Sequence, residues 1–314
     1  MEKKQPLIAV VGPTASGKTA VGIELAKEYN GEVISADSMQ IYKGMDIATA
    51  KPDKEEMQGI PHHLISELEP TSSFSVAEYV KLAQQKIEDI AARGKLPILV
   101  GGTGLYVSSL IDNINFDNAI TDGSVRRKLT EEAEYIGNEA MLERLREIDP
   151  EAAEKIPAAN LVRIIRALEV YEVTGIPFSR HKELNRMQDS LYNSCMIGLT
   201  YKDRSVLYDR INRRVDIMLE KGLIEECRTV YENEKLGTAC QAIGYKEFIP
   251  YFDGARPKEE CIDKIKQYSR NYAKRQLTWF RRDERIQWVE IEEDTAFSTI
   301  IAECKKIVAK TEIL

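Results

Sequence analysis

The chain has 314 residues, enough for one large domain or for a core domain with a second, smaller one. Hydrophobic residues make up 43% and charged residues 30%, a balance typical of globular proteins. No apolar run approaches the roughly 18 residues of a membrane-spanning helix, which excludes such a span. The net charge of −7 argues against nucleic-acid binding, but residues 270–285 form a local stripe of six basic and two acidic side chains that can still bind phosphates.

The N-terminal apolar run, Leu7–Val11, is short and ends in Gly12-Pro13. A signal peptide needs a longer apolar region, so we expect a strand that enters a turn and a protein that stays in the cytoplasm. Five scattered cysteines without a C-x-x-C pair argue against a disulfide framework or a zinc site. The adjacent His62 and His63 are expected to be loop or core residues rather than metal ligands.

The first third of the chain alternates predicted strands and helices. In chain order these are the strand Leu7–Val11, the helix Lys18–Tyr29, the strand Glu32–Ala36, a helix opened by a capping box at Ser75, and the strand Pro97–Val100. This alternation predicts a doubly wound parallel sheet with its site at the carboxyl ends of the strands.

Charged helical stretches dominate residues 115–190, which predicts a helical insertion. Met196–Tyr201 resumes the strand pattern, long helices follow to about residue 282, and Ile286–Val289 is a last short strand. The predicted fold class is therefore α/β, with a P-loop NTPase-like core, a parallel sheet flanked by helices, and an inserted all-helical domain. The predicted domains are a catalytic core with basic C-terminal helices, residues 1–114 and 191–314, and an insertion, residues 115–190.

The first predicted strand runs into a match to the phosphate-binding motif G-x-x-x-x-G-K-[ST], which opens the first helix. Glycines let backbone N–H groups converge on phosphate oxygens, the helix N-terminus adds positive potential, the lysine neutralises charge, and the final hydroxyl can ligate Mg²⁺. The motif predicts a bound di- or triphosphate, with Thr19 as the metal ligand. Its residues are Gly12, Pro13, Thr14, Ala15, Ser16, Gly17, Lys18 and Thr19.

The ends of the other strands narrow the type of P-loop protein. The strand Pro97–Val100 ends in Gly-Gly-Thr, where an ATPase would place an aspartate for magnesium. The GTPase patterns N-K-x-D and D-x-x-G are absent from the sequence. The carboxylate that follows a strand is Asp37, and two roles suit it: a magnesium ligand acting through water, or a base toward an acceptor substrate.

Seven stretches resemble, in order and spacing, the bacterial tRNA dimethylallyltransferases. They are GPTASGKT, ISADSMQIYKGMDIATAKP, IPHHL, ILVGGTGLY, VRIIRALEVY, QAIGYKE and YAKRQLTWFRR. The resemblance implies transfer of a dimethylallyl group from dimethylallyl diphosphate to N6 of the tRNA adenosine immediately 3′ of the anticodon. It implies that the P-loop holds the diphosphate leaving group without ATP hydrolysis. Mg²⁺ is the expected cofactor, because negative charge builds on the departing oxygen.

The resemblance also implies roles for single residues. Asp37 is expected to accept the proton of the adenine amine, and Thr103 and Arg214 to contact the diphosphate. Helical phase agrees for the arginine, because Arg214 lies at the edge of the apolar face of its predicted helix whereas Arg213 points away from it.

The residues implied at the tRNA come from four parts of the sequence. They are Asp37, Ser38, Met39, Gln40, Thr103, Val162, Arg163, Ile164, Ile165, Arg166, Gln241, Ala242, Ile243, Gly244, Tyr245 and Lys246. In the predicted helix Leu161–Tyr171, periodicity places the two arginines outside, and the family often has Gln where this chain has Val162. In the basic stripe we expect the aromatic residues to pack in the core and several basic residues to neutralise RNA phosphates. These aromatics are Tyr268, Tyr272, Trp279 and Phe280.

Two other functions stay open at this point. A P-loop kinase acting on a small nucleoside or metabolite would share the P-loop and Asp37, but it leaves the basic C-terminal helix and the insertion unexplained. A non-catalytic, nucleotide-sensing RNA-binding module would not need Lys18, Asp37 and Thr103 at converging strand ends. The favoured partners are the tRNA anticodon stem-loop and dimethylallyl diphosphate, with no membrane, and we expect a monomer.

Overall fold

A computed structural model describes residues 4–114, 123–186, 189–232, 239 and 242–313. Six strands form one parallel sheet in the order β3-β2-β4-β1-β5-β6. The strands are β1 Gln5–Val11, β2 Gly31–Ser35, β3 His62–His63, β4 Leu96–Gly101, β5 Tyr192–Tyr201 and β6 Ile286–Ile291.

Helices connect and flank these strands. They are α1 Lys18–Glu28, α2 Lys54–Met57, α3 Val76–Ala92, α4 Gly104–Ile111, α5 Ser124–Ile136, α6 Asn138–Ile148, α7 Pro150–Lys155, α8 Leu161–Thr174, α9 Phe178–Arg186, α10 Arg204–Glu220, α11 Leu223–Tyr231, α12 Tyr245–Phe252, α13 Lys258–Phe280 and α14 Phe297–Thr311. None of them, over the ranges given above, is both long and apolar enough to cross a membrane.

The central strands are buried almost throughout, as expected for a parallel sheet covered by helices. Their register brings the strand ends to one level, because Val11 pairs with Gly101 and Ser35 pairs with Val100. The loops that follow β1, β2 and β4 therefore start side by side at one edge of the sheet. This register places the functional site.

The chain divides into two compact units, residues 1–111 with 191–314, and residues 112–190. The first contains the sheet, where α1 and α14 bury their apolar sides against β-strand residues such as Val10, Ile98 and Ile197. In the second unit all described elements are helices, α5 to α9, around a core that includes Leu129, Met141 and Leu168. The predicted fold class, an α/β core with a helical insertion, is confirmed.

The strand His62–His63 was not predicted as a strand. It is two residues long and pairs with Val33 and Ile34 at the edge of the sheet, so no periodic pattern marks it. Four cysteines in the described part are free and buried, namely Cys195, Cys227, Cys261 and Cys304.

A buried carboxylate holds this edge of the sheet. Glu32 is 1% exposed, and its oxygens lie 2.5 Å from Arg93 Nη1, 2.7 Å from Lys95 Nζ and 2.7 Å from His63 Nε2. The hydrogen bond from Arg93 is the largest effect and holds the pKa of Glu32 well below its usual range. Burial acts in the opposite direction and raises it in part. The carboxylate is therefore charged and paired in the folded protein.

We predict that Glu32→Ala lowers the free energy of unfolding by about 1–3 kcal/mol. The loss stays below that of a fully buried pair, because the cationic partners are partly exposed and can regain water. Its contribution should be present above the carboxyl's ordinary pKa of about 4.3 and vanish as the pH falls through the lower folded-state pKa. Denaturant titrations at several pH values measure it. Asp89→Ala, which removes an exposed partner of Arg93, is the control and should change stability little; equal losses in both variants would contradict the prediction.

Candidate active site

The P-loop connects β1 to α1 through two glycines with positive φ. Gly12 has φ 145°, and a Cβ there would lie 2.5 Å from the carbonyl oxygen of Leu199. Gly17, at the N-cap of α1, has φ 91°, a conformation that side chains with a Cβ rarely adopt. The loop can therefore approach the neighbouring strand and still turn its later N–H groups toward an anion at the start of α1.

Lys18 is a buried cation in this loop. Its Nζ donates a hydrogen bond to the carbonyl oxygen of Pro13 at 2.6 Å. Burial first, and the charge of Arg214 second, lower the pKa of Lys18 to about 7, and the nearby Asp37 opposes this shift. An anion beside Lys18 would supply the countercharge that this position lacks.

Thr14 is held by the protein itself. Its backbone N–H donates to Gln276 Oε1 at 2.8 Å, and its Oγ1 accepts from Arg214 Nη1 at 3.1 Å. Thr14 lies in the loop between β1 and α1, as predicted. Its N–H donates to Gln276 and is therefore not directed at a phosphate. The hydroxyl of Ser16 is buried and has no hydrogen-bond partner within the described ranges, as expected of a donor meant for a ligand.

Asp37 follows β2 and lies in the same buried region. Its Oδ1 accepts the backbone N–H of Met39 at 2.9 Å. Burial raises the pKa of Asp37, while the hydrogen bond from Met39 and the charge of Lys18 lower it in part. The result is a carboxylate more basic than an exposed one, positioned where a proton acceptor could work.

Thr103 joins the ends of β2 and β4. Its Oγ1 accepts the N–H of Ser38 at 3.1 Å, and its own N–H donates to Ala36 O at 3.0 Å. The side chain therefore fixes the Asp37 loop, and its hydroxyl also hydrogen-bonds the side chain of Tyr272.

The orientation predicted for Arg214 from helical phase is confirmed. The guanidinium points inward from α10, to Thr14 Oγ1 and, at 3.4 Å, to the carbonyl oxygen of Ala50, whereas Arg213 is exposed. Burial lowers its pKa, and the charge of Asp37 is the main opposing effect.

Two cavities meet at these side chains. The smaller, about 80 Å³, is lined by Lys18, Thr19 and Gly102, and the larger, about 240 Å³, by Met39 and Lys246 among others. Five residues line both cavities: Thr14, Asp37, Thr49, Arg214 and Tyr272. A molecule could thus place an anionic part on the P-loop side while its other part meets a second molecule beside Asp37.

The small cavity also fits the expected magnesium ion. Thr19 supplies a hydroxyl to its lining, and a bound diphosphate would add phosphate oxygens. Mg²⁺ prefers oxygen ligands and usually keeps several waters and substrate phosphates beside one or two protein groups. In the described part of the chain no group of three or more His, Cys, Asp or Glu side chains could hold a metal.

The residues predicted at the tRNA divide into accessible and inaccessible ones. Ser38 and Met39 line the larger cavity. Gln40 does not offer its amide, because its Oε1 accepts from Ser35 Oγ at 2.9 Å and its Nε2 donates to the carbonyl oxygens of Thr49 and Ala50 at 3.3 Å. These bonds hold the loop, and a nucleobase would compete with them for the amide; the side chain lines the smaller cavity and not the larger one.

In α8, which belongs to the helical unit, the prediction needs correction. Val162 is 82% exposed and Arg163 is exposed, but Ile164 and Ile165 are buried in the core of that unit and cannot reach a nucleic acid with their side chains. Arg166 is only one-third exposed and is paired with the buried Glu169 at 2.7 Å.

The residues predicted at the tRNA after residue 240 also divide into accessible and inaccessible ones. Gln241 lies outside the described residues, whereas Ala242, Ile243 and Lys246 line the larger cavity. Tyr245 is 3% exposed and donates its hydroxyl to Glu226 Oε1 at 2.7 Å, so its side chain is structural. Gly244, with φ 119°, supplies the turn before α12.

Two residues of α13 were missed as site residues. Tyr272 lines both cavities, and burial first and the charge of Asp37 second raise its pKa to about 12. Gln276 is 5% exposed and lines the smaller cavity. The expectation that the stripe's aromatics pack in the core is confirmed for Phe280 and wrong for Tyr268 and Trp279, each 41% exposed.

The fold and site define a P-loop enzyme whose phosphate cavity opens beside a buried carboxylate into a second cavity. A family model described as IPP transferase matches residues 40–283. A protein of Acetivibrio thermocellus named tRNA dimethylallyltransferase is 50% identical over 305 residues, covering 96% of this chain and 97% of its own. One of the same name from Oceanobacillus iheyensis is 51% identical, covering 92% of each chain.

Solved structures agree. The full-length tRNA isopentenylpyrophosphate transferase from Bacillus halodurans has a TM-score of 0.74 at 48% identity, covering 98% of this chain and 97% of its own. A eukaryotic dimethylallyltransferase, described as acting on tRNA, has a TM-score of 0.82 at 29% identity. The match covers 98% of this chain and 80% of the eukaryotic one. The chain belongs to the tRNA dimethylallyltransferase family, a family of prenyltransferases, and the kinase alternative finds no support.

We predict that the affinity for inorganic diphosphate falls as the pH rises through about 7, because Lys18 is charged below its pKa and neutral above it. Calorimetric titrations between about pH 6 and pH 9 measure this. Lys18→Met is the control, and the ratio of the two dissociation constants cancels the ionisation of diphosphate itself. The ratio should be largest at low pH and shrink as the pH rises; a ratio that is constant across the range would contradict the assignment of Lys18.

Proposed function

We propose that the chain transfers the dimethylallyl group of dimethylallyl diphosphate to N6 of the tRNA adenosine immediately 3′ of the anticodon, and releases diphosphate. Membership of the family supports the reaction class. The observation that carries the assignment to this site is the pair of cavities that share Asp37, Arg214 and Tyr272. A cytoplasmic location and a monomeric state remain predictions of the same proposal.

The smaller cavity suits the diphosphate. Lys18, Arg214 and the N–H groups at the start of α1 would neutralise the charge that grows on the leaving oxygen as the bond from carbon to oxygen breaks. Thr103 can donate its hydroxyl proton to a phosphate oxygen if this bond replaces its hydrogen bond with Tyr272, while its oxygen continues to accept the N–H of Ser38. With Thr19 and the phosphates holding it, Mg²⁺ would supply further neutralisation of the leaving group.

The larger cavity suits the adenine. Its lining combines apolar groups such as Met39 and Ile243 with the cations Lys246 and Arg275, a composition that fits an unstacked base joined to a phosphate backbone. The adenine amine is a weak nucleophile, because its lone pair is delocalised into the ring. As the bond from nitrogen to carbon forms, Asp37 accepts the amine proton, and burial gives this carboxylate the raised pKa that a base needs.

The reaction itself is tested by mixing the protein with dimethylallyl diphosphate, Mg²⁺ and unmodified tRNA in the absence of ATP. Mass spectrometry of the digested nucleosides should find dimethylallyl adenosine at the position next to the anticodon. An unmodified adenosine, or modification that depends on added ATP, would overturn the proposal.

We predict that Asp37→Asn lowers the single-turnover rate by about 10²–10⁴, because the amide keeps the shape but cannot accept the proton. The affinity for dimethylallyl diphosphate and for Mg²⁺ should change little. Asp263→Asn, an exposed change on α13, is the matched control and should keep the full rate. A large loss of Mg²⁺-dependent binding in Asp37→Asn would assign the carboxylate to the metal instead.

We also predict that tRNA affinity falls steeply with salt despite the net charge of −7. The exposed Arg163 and Lys274 are the basic groups chosen for the test. Replacing either by Ala should weaken binding modestly and reduce the slope of log K against log salt by about 0.7–0.9. Lys310→Ala, an exposed lysine of α14, should leave the slope unchanged. A flat salt dependence of the wild-type protein would refute docking through these basic surfaces.

A further inference from the structure

The loop after β4 is pressed against α13 at two of its glycines. A Cβ on Gly102 would lie 2.1 Å from Gln276 Nε2, and a Cβ on Gly104 would lie 2.2 Å from Trp279 Cδ1. At Gly104 the indole ring of Trp279 leaves no room for a side chain, whereas at Gly102 a Cβ would displace the amide of Gln276 from its present position. The Gly-Gly-Thr-Gly stretch is therefore built to receive α13 as well as to turn the chain at the strand end.

Gln276 is the residue through which α13 contacts both phosphate-side loops. Its Oε1 accepts the N–H of Thr14 in the P-loop at 2.8 Å, and its Nε2 donates to the carbonyl oxygen of Gly102 at 3.0 Å. The side chain is 5% exposed, which limits competition from water for both bonds. One amide thus connects two loops that are adjacent in the sheet but distant in sequence.

These two loops belong to different strands. The register of β1 and β4 brings Val11 and Gly101 level, but it does not fix the loops that follow them. Since Thr14 and Gly102 line the same small cavity, the distance between their loops sets the width of that cavity. An anion contacted from both sides is bound well only if this width is constant.

We propose that Gln276 is a positioning residue that sets the spacing of the P-loop and the Gly102 loop, and thereby the affinity of the site for the diphosphate group. The inference rests on the proposed function, because it takes the small cavity as the diphosphate site. The requirement is for an amide, whose oxygen accepts the N–H of Thr14 and whose nitrogen donates to the oxygen of Gly102; the same side chain also hydrogen-bonds Tyr272.

A glutamate at this position separates shape from hydrogen bonding. Its ionised form accepts from Thr14 but repels the Gly102 oxygen and the diphosphate, whereas its protonated form has both a donor and an acceptor and mimics the amide. Burial and the neighbouring carbonyl raise the pKa of such a carboxyl, which brings its titration into a workable range. The added charge alone would also make this binding pH-dependent, so the neutral Gln276→Met, which keeps the size of the side chain but removes both hydrogen bonds, isolates the positioning role.

The experiment measures the dissociation constant of inorganic diphosphate with Mg²⁺ for the wild type, Gln276→Glu and Gln276→Met between about pH 5.5 and pH 8. We expect Gln276→Glu to bind at least roughly tenfold more weakly than the wild type at pH 8 and to recover most of this loss at the acidic end. Gln276→Met should be weaker by a similar factor at every pH. Gln267→Glu, on an exposed position of the same helix, should match the wild type throughout.

Steady-state transfer assays complete the test. At pH 8, the rate of Gln276→Glu at saturating dimethylallyl diphosphate, its kcat, should be close to that of the wild type. The KM for dimethylallyl diphosphate, measured over a range of concentrations, should be raised. Wild-type affinity in Gln276→Met would show that only the introduced charge matters and would overturn the role. If that variant does not fold, Gln276→Asn, whose amide is one methylene too short to reach both loops, replaces it and should bind diphosphate more weakly at every pH. Ratios near one at pH 8, or a defect that does not change with pH, would overturn the role of Gln276. Failure of the wild type itself to bind diphosphate would instead overturn the proposed function.

Discussion

The burial of three charged groups, Lys18, Asp37 and Arg214, around one pair of cavities is the constraint on which the site depends. Burial favours the neutral form of each group: it lowers the pKa of Lys18 and of Arg214 and raises the pKa of Asp37. The opposite charges nearby partly reverse these shifts. The parallel sheet makes this possible, because its register brings the loops after β1, β2 and β4 to one edge. Arg214 then arrives from α10, outside the sheet.

This arrangement has two uses. Two cations face one carboxylate here, and this excess of positive charge favours an anion in the small cavity; Mg²⁺ would offset the remaining charge of a diphosphate. The carboxylate lies where the small cavity meets the large one, so it can serve the second substrate while the cations serve the first. The small cavity thus serves the diphosphate and the large one serves the acceptor, and the residues that line both cavities lie between them.

Much of the fold followed from local patterns. The strands β1 and β4 contain apolar runs, and Arg214 could be oriented because its neighbours Ile211 and Val215 mark the buried face of α10. The strand order could not be predicted, since it depends on pairing between distant segments, and the two-residue β3 leaves no pattern. Gln276 was missed because a polar residue in a charged helix suggests a solvated face. Its spacing from Ala273 and Phe280 places it on the buried side, and that signal could have found it.

The most direct measurement is a structure of the protein bound to diphosphate, Mg²⁺ and an unmodified anticodon stem-loop. The account predicts the diphosphate beside Lys18 and Arg214 in the smaller cavity, and the adenine in the larger one. The N6 amine should lie within about 2.6–3.2 Å of the Asp37 carboxylate, the reach of a general base. An adenine that lies away from Asp37, or a carboxylate that ligates the magnesium ion directly, would contradict it.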